Sequence, residues 1–323
     1  MEEGDEPPDL LGLKKISIED KLIFDKYFGF CDTLLSDYTF ANTFVWRDSI
    51  HLRWAVIDNC LCVFANGCSG LTMLFPPMGP GNFGLALEKS VDLCRAYNEK
   101  LELEIIPSIE YVSKDFLGRF GQSYGGKPMS GDYVYDTERM ISLAGKDLAS
   151  KRQARNKFLR LYPARTENFS KKHIPECLRL LEKWSRTDSE EAILDSNISV
   201  KRNKEILATV EAILNYEKLG LTGMVLYANN ELVGFTFGEM LDKDTCSILI
   251  EKTDRNFTGS AQYIFSEFCR QFWAKTKWCN VGDDWGIPSL AWTKQSYRPA
   301  FRVEKWVVMP KIVLLKQRIL PVV

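Results

Sequence analysis

The chain has 323 residues, a length that suggests two domains of about 150 residues each, and with 45% of them hydrophobic and 26% charged it has apolar content for one or two cores. Its 42 Lys and Arg nearly cancel 43 Asp and Glu, so no global field draws it to DNA or membranes and any polyanion must be held by a local patch. Two histidines, His51 and His173, exclude a His-rich metal site and leave any Ser-His or Cys-His nucleophile system only those two bases.

Residues 1–12 are acidic and Pro-containing and read as a flexible leader without secretory or transit character. Helical spacing covers 18–28, and Asp37 caps a second short helix over 37–46. The apolar runs "SIHLRWAVIDN" and "CLCVFANG" meet at Asp58-Asn59, a hairpin signal. A strand then enters the Pro/Gly loop of "LTMLFPPMGPGN", and 83–99 is helical. "LELEIIP" (101–107) alternates like a half-buried strand, with a helix expected over 109–120. "SYGGKPMSGD" (123–132) reads as a loop that divides an N-terminal domain, 13–130, from a C-terminal one, 131–323.

The second half opens on a strand-like run at 132–143 and the basic helix of "GKDLASKRQARNKFLRLYP" (145–163), stopped by Pro163. Helices near 173–187 and 202–219 precede three strands, 222–228, 231–240 and 245–254, turned at Asn229-Asn230 and Asp242-Lys243-Asp244. A Gly-started helix follows at 257–276, then the strand "WCNVG", the helix "PSLAWTKQS" and a final strand at 301–309. The apolar stretch 307–323 is broken by Lys311, Lys316 and Arg318, so it falls short of the ~20 apolar residues a span needs and is left peripheral contact with a membrane or another subunit. Nine scattered cysteines contain no Cys-x-x-Cys pair, which fits buried thiols of a reducing compartment. The expectation is a soluble cytoplasmic protein with no metal.

Three stretches carry chemistry. "VGDDWGIPSLAWTKQSYRPAF" (281–301) sets Asp283 and Asp284 at the end of a strand and returns Lys294, Tyr297 and Arg298 to the same end. Mixed signs gathered there fit a polar cleft; an N-cap with a surface helix is the plainer reading. In the basic helix, Lys151, Arg152, Arg155, Lys157 and Arg160 fall within ten residues with no acid between Asp147 and Glu167. At about 3.6 residues per turn Lys151, Arg155 and nearly Arg152 share a face, which favours anion binding over a merely solvated surface. In "DRNFTGSAQYIF", Gly259 opens a helix whose amides suit a phosphate, although a plain core helix would read the same way.

The order β-β-β-α-β-α-β with a Gly turn opening its first helix resembles the C-terminal half of a GNAT-type acyltransferase. The first half has compatible elements, so the expected fold class is α+β with mixed sheets in two tandem GNAT-like domains. Acetyl-CoA-binding members carry Arg/Gln-x-x-Gly-x-Gly/Ala; here Gly259 and Ala261 align, Asn256 stands at the leading position and Arg255 falls one residue early. "VGDDWGIPSLAWTKQSYRPAFRVEKW" further resembles the signature of the phosphatidylglycerol lysyltransferase C-terminal domain family, and Lys151 to Asn156 resembles its Lys-x-x-x-Arg-Asn helix. Ser289-Leu290-Ala291 departs from the pattern, lacking an expected arginine.

The resemblance implies kinship with Fem-type aminoacyltransferases and transfer of an amino acid from aminoacyl-tRNA to an amine or hydroxyl. The acceptor would be a lipid headgroup, a cell-wall precursor or a peptide, and no cofactor beyond the donor is implied. In that scheme Asp283 or Asp284 orients or deprotonates the acceptor, beside Tyr297. Lys294 and Arg298 stabilise an oxyanion or hold a phosphate. Lys151, Arg152 and Arg155 bind the tRNA 3′ end or an anionic headgroup, and Asn156 hydrogen-bonds the donor. Acyl-CoA-dependent transfer through the Gly259 turn and a non-catalytic anion-binding module are the alternatives.

Overall fold

Asp58 and Asn59 take left-handed backbone angles, φ 48° and 59°, the pair that a two-residue hairpin turn requires. Asn229 and Asn230, at φ 51° and 65°, do the same in the second half. These turns help set the sheets of the computed structural model, which describes residues 12–67, 70–192 and 196–311. The expected leader, apart from Gly12, lies outside the described residues, as do Cys68 and the apolar stretch beyond Lys311.

The strands of the first half are β1 (Lys14–Lys15), β2 (Arg53–Ile57), β3 (Cys60–Gly67), β4 (Gly70–Met73), β5 (Ile109–Ser113), β6 (Tyr124–Pro128) and β7 (Asp132–Asp136). Those of the second are β8 (Ala164–Asn168), β9 (Thr222–Ala228), β10 (Glu231–Met240), β11 (Thr245–Thr253), β12 (Trp278–Asn280), β13 (Phe301–Val303) and β14 (Lys305–Pro310). They form two seven-stranded mixed sheets, β1-β2-β3-β4-β5-β14-β6 and β13-β7-β12-β11-β10-β9-β8.

Both sheets repeat one construction. Strands β2, β3 and β4 run antiparallel, the helix Phe83–Lys100 crosses over, and β5 returns parallel to β4. Strands β9, β10 and β11 are likewise antiparallel, the helix Ser260–Phe272 crosses over, and β12 returns parallel to β11. A parallel return needs such a crossover, and the helix supplies it. The fold is α+β with two GNAT-like mixed sheets, as the element order implied.

The chain divides into two units that are not contiguous in sequence. One holds Arg47–Met129 with the segments before 34 and after 303; the other holds Leu34–Trp46 and Ser130–Val303. The expected single cut at 130 thus misses two segments. One reason is a strand that changes sheets: β14, from the end of the chain, lies between β5 and β6. The expected strand over 301–309 is accordingly two strands in different sheets. Residues 34–46 join the second unit because buried Asp132 accepts from the Ser36 amide and hydroxyl (2.7 and 2.8 Å), while Asn280 Nδ2 donates to the Leu34 carbonyl at 2.7 Å.

Other elements also shift. Residues 101–107 have no ladder; the strand begins at Ile109, whose partner Met73 sets its register, where a helix had been expected. Only one helical turn, Lys114–Leu117, follows. The expected loop 123–132 contains β6, paired along β14, and β8 follows the basic helix unannounced. In each case a sheet partner distant in sequence overrides local pattern.

The second core gathers Tyr133, Tyr135, Phe158, Leu226, Ile264, Phe268 and Cys279. Here the Gly259 helix meets the basic helix, Ala149–Leu161. Gly259 sits at φ 91°, and a Cβ on it would lie 2.2 Å from the Ala154 carbonyl oxygen. Close helix packing therefore accounts for this glycine. Replacing Gly259 with Ala should cost about 2–4 kcal/mol through overpacking and left-handed strain, read as a lower urea midpoint; unchanged stability would contradict this packing.

Candidate active site

Strands β11 and β12 pair only over Thr245–Ser247 and Trp278–Asn280. Beyond Ser247, β11 continues to Thr253 along β10 alone. A bulge opposite Phe237 and Gly238 skips Leu249 and bends β11 away. A side chain at Gly238 would collide with the Ser247 carbonyl, 2.4 Å from its Cβ, so the bend depends on that glycine. Beyond Ser247 the edge of β11 on the β12 side is left without a ladder partner.

Glu251 stands on this open half. It is half-buried, and no hydrogen bond or ion pair holds it among the described residues. Burial pushes its carboxyl up to about 8, against a smaller pull from Lys252. Alternation sends Lys252 to the other face, where it is buried against Glu205 and over the Trp184 ring at 3.9 Å. Beside Glu251 are Tyr135 and Tyr297; burial raises both phenols, and the charge of Glu251 adds to each. In the sequence Glu251 is only an acid that ends the apolar run "TCSILIE", and its place becomes distinctive once β11 is seen to part from β12.

Tyr297 is buried against Tyr135 (ring centroids 5.9 Å) and Phe265 (5.5 Å). Above it lies the ammonium of Lys151, 4.4 Å from the Tyr297 ring and 5.9 Å from that of Trp292. Lys151 is half-buried and has no hydrogen-bond or carboxylate partner among the described residues. Burial lowers its pKa, the expected response of a cation lacking an anion.

Two cations assigned with Lys151 to anion binding are engaged elsewhere. Arg152 donates to the carbonyls of Leu143 and Gly145. Arg155 donates to the Ile141 carbonyl and Ser266 Oγ, both at 3.1 Å, and from Nε to Asn156 Oδ1 at 3.4 Å. They fasten the basic helix to carbonyls in the last turn of the helix Thr137–Ser142 and just beyond it. Asn156 and Arg298 are exposed, the latter left-handed at φ 58°.

The paired acids and Lys294 form a separate knot. Buried Asp284 accepts from Ser130 Oγ (2.6 Å), Tyr133 Oη (2.6 Å) and the Gly286 amide (2.9 Å), with Arg302 at 3.7 Å. Burial works to raise its pKa, but these donors and Arg302 outweigh burial and hold it below the ordinary carboxylate value. Asp283 Oδ1 accepts from the Trp285 amide at 3.1 Å. Lys294 Nζ donates to the carbonyls of Val281, at 2.6 Å, and Asp283. The knot fixes the turn between β12 and the helix Pro288–Gln295, which carries Trp292 and leads to Tyr297. Among the described residues no group of three or more His, Cys, Asp or Glu is placed to hold a metal.

A GNAT-like sheet with parted central strands, an unpaired carboxylate on one and an unpaired lysine above is the framework of an acyltransferase-type protein. The model of the family described as phosphatidylglycerol lysyltransferase, C-terminal, matches residues 30–309, and the chain belongs to that family. A conserved protein of unknown function from Bacteroides thetaiotaomicron superposes with a TM-score of 0.80 at 25% identity, covering 93% of this chain and 99% of that one. L-PGS from Bacillus licheniformis shares the fold at a TM-score of 0.55 and 18% identity, over 83% and 88% of the two chains. An uncharacterized protein of Mycoplasmoides gallisepticum is 26% identical over 183 residues, 55% of this chain. The match spans 56% of that curated relative's length. No described helix is long and apolar enough to cross a membrane.

Asp284→Asn should lower stability at pH 7 by about 2–3 kcal/mol, because a buried network built for a carboxylate loses its charge and gains an unmatched donor. Since the folded pKa of Asp284 is depressed, its contribution is present above the ordinary carboxylate pKa and fades as pH falls through the folded value. Denaturation at pH 7 and pH 3 should show the gap between Asn variant and wild type shrinking in acid; a constant gap would contradict this assignment.

Proposed function

We propose that this protein is an aminoacyltransferase, moving an amino acid from aminoacyl-tRNA directly to an amine or hydroxyl acceptor. The observation that carries the reading is Glu251: an unpaired, half-buried carboxylate pushed up to about 8 on the open half of β11. Such a group suits general base catalysis near neutral pH. Membership in the phosphatidylglycerol lysyltransferase family and the shared fold of L-PGS support a lipid headgroup as acceptor, with a cell-wall precursor or peptide as the other amine or hydroxyl sources. The setting would be the cytoplasm, where the donor is, with peripheral contact to a membrane when the acceptor is a lipid.

The ester of aminoacyl-tRNA is already activated, so no covalent enzyme intermediate is required. Glu251 takes the proton from the acceptor as its oxygen or nitrogen attacks the ester carbonyl carbon. The tetrahedral intermediate then collapses, the bond to the ribose oxygen breaks, and Glu251 returns the proton to that oxygen. Lys151 supplies positive charge for the donor's phosphates. The Asp284–Lys294 knot holds Trp292 and Tyr297 in place and touches no reacting atom.

Glu251→Gln should lower kcat by about a hundredfold or more, the usual worth of a positioned base. Wild-type kcat/KM should rise with pH to half its plateau near pH 8, as Glu251 ionises, and level above that, and the variant should lose that limb. A raised carboxyl pKa stabilises the fold below the ordinary value of 4.5, and that contribution is lost as pH rises to about 8. The Gln variant should therefore gain Tm relative to wild type across that window, which separates lost chemistry from lost folding. Wild-type turnover in a folded Gln variant would remove Glu251 from the mechanism.

A further inference from the structure

Trp292 is 73% exposed on the helix Pro288–Gln295. Its indole has no role in the core, yet it flanks Lys151, the one half-buried cation of the basic helix that makes no hydrogen bond among the described residues. A recessed ammonium between an exposed indole and a buried phenol calls for a ligand that brings a flat ring and an anion together.

We propose that Trp292 and Lys151 form a nucleotide subsite, in which a base stacks on the exposed indole and the ammonium meets the adjoining phosphate. The inference rests on the proposed transfer reaction and names the part of the donor held there. Base stacking on an aromatic side chain tolerates sequence and needs only an open ring face. Lys151 Nζ donates no hydrogen bond among the described residues, so a phosphate answers both its burial and its charge. Tyr297 connects the parts: Lys151 lies over its ring, and Glu251 lies within electrostatic reach of its phenol. A terminal nucleotide on Trp292 thus sets its ribose ester along Tyr297 toward the base. A flat membrane surface fits less well, because the charge is recessed beside the indole and not level with it.

Nucleotide chemistry reaches this site from two sources, the CCA end of tRNA or the adenosine of CoA. Equilibrium dialysis of the full chain with labelled CCA trinucleotide, with CoA and with phosphatidylglycerol vesicles separates them. The subsite predicts trinucleotide binding that weakens about tenfold in Trp292→Ala, is largely restored in Trp292→Phe and has a flatter salt dependence in Lys151→Met. CoA binding with the same dependence on Trp292, and no trinucleotide binding, would keep the subsite but overturn aminoacyl-tRNA as donor. Trinucleotide affinity unchanged in a folded Trp292→Ala variant, no binding of either nucleotide, or Trp292-dependent binding to vesicles alone would overturn the subsite. Transfer from aminoacyl-tRNA that is indifferent to Trp292 would sink the subsite and leave the proposed reaction standing.

Discussion

Three registered pairs between β11 and β12, and their absence beyond Ser247, govern the second unit. A strand in the middle of a mixed sheet normally has both edges satisfied; here β11 keeps one partner and gives up the other. The bulge at Leu249 and the bare backbone of Gly238 make the departure possible. Glu251 is on the part of β11 that has left β12, and this placement explains its raised pKa. It is recessed enough to lose much of its hydration, yet no donor within the sheet stabilises its charge.

Around that opening, fixed and unfixed charges separate cleanly. Asp284, Lys294, Arg152 and Arg155 satisfy backbone or side-chain partners and hold turns in place. Lys151 and Glu251 have no such partners among the described residues. Burial without compensation shifts both toward neutrality, by raising the acid and lowering the base. A protein tolerates that cost where a ligand will later supply the missing charge or accept the proton.

Much of this was legible in the sequence. Strands β9 and β10 fall where apolar runs and the Asn229-Asn230 turn place them, since local turn chemistry and periodicity decide such hairpins. The basic helix and the acidic turn also stand where expected. Partnership was not legible. The run 301–309 looks like one strand because nothing in its side chains tells which sheet receives each half. Likewise, five cations on one helix look equivalent until Arg152 and Arg155 are seen bonded to carbonyls. Glu251 was hidden for the same reason, because an acid on a strand is ordinary until that strand is known to lose a neighbour.

The most direct measurement is a transfer assay with purified protein, a radiolabelled aminoacyl-tRNA pool, and lipid and cell-wall precursor extracts, with and without ribonuclease pretreatment. The account predicts a labelled lipid or precursor product that ribonuclease abolishes. Labelled product that survives ribonuclease, or transfer only when acyl-CoA replaces the aminoacyl-tRNA, would contradict it.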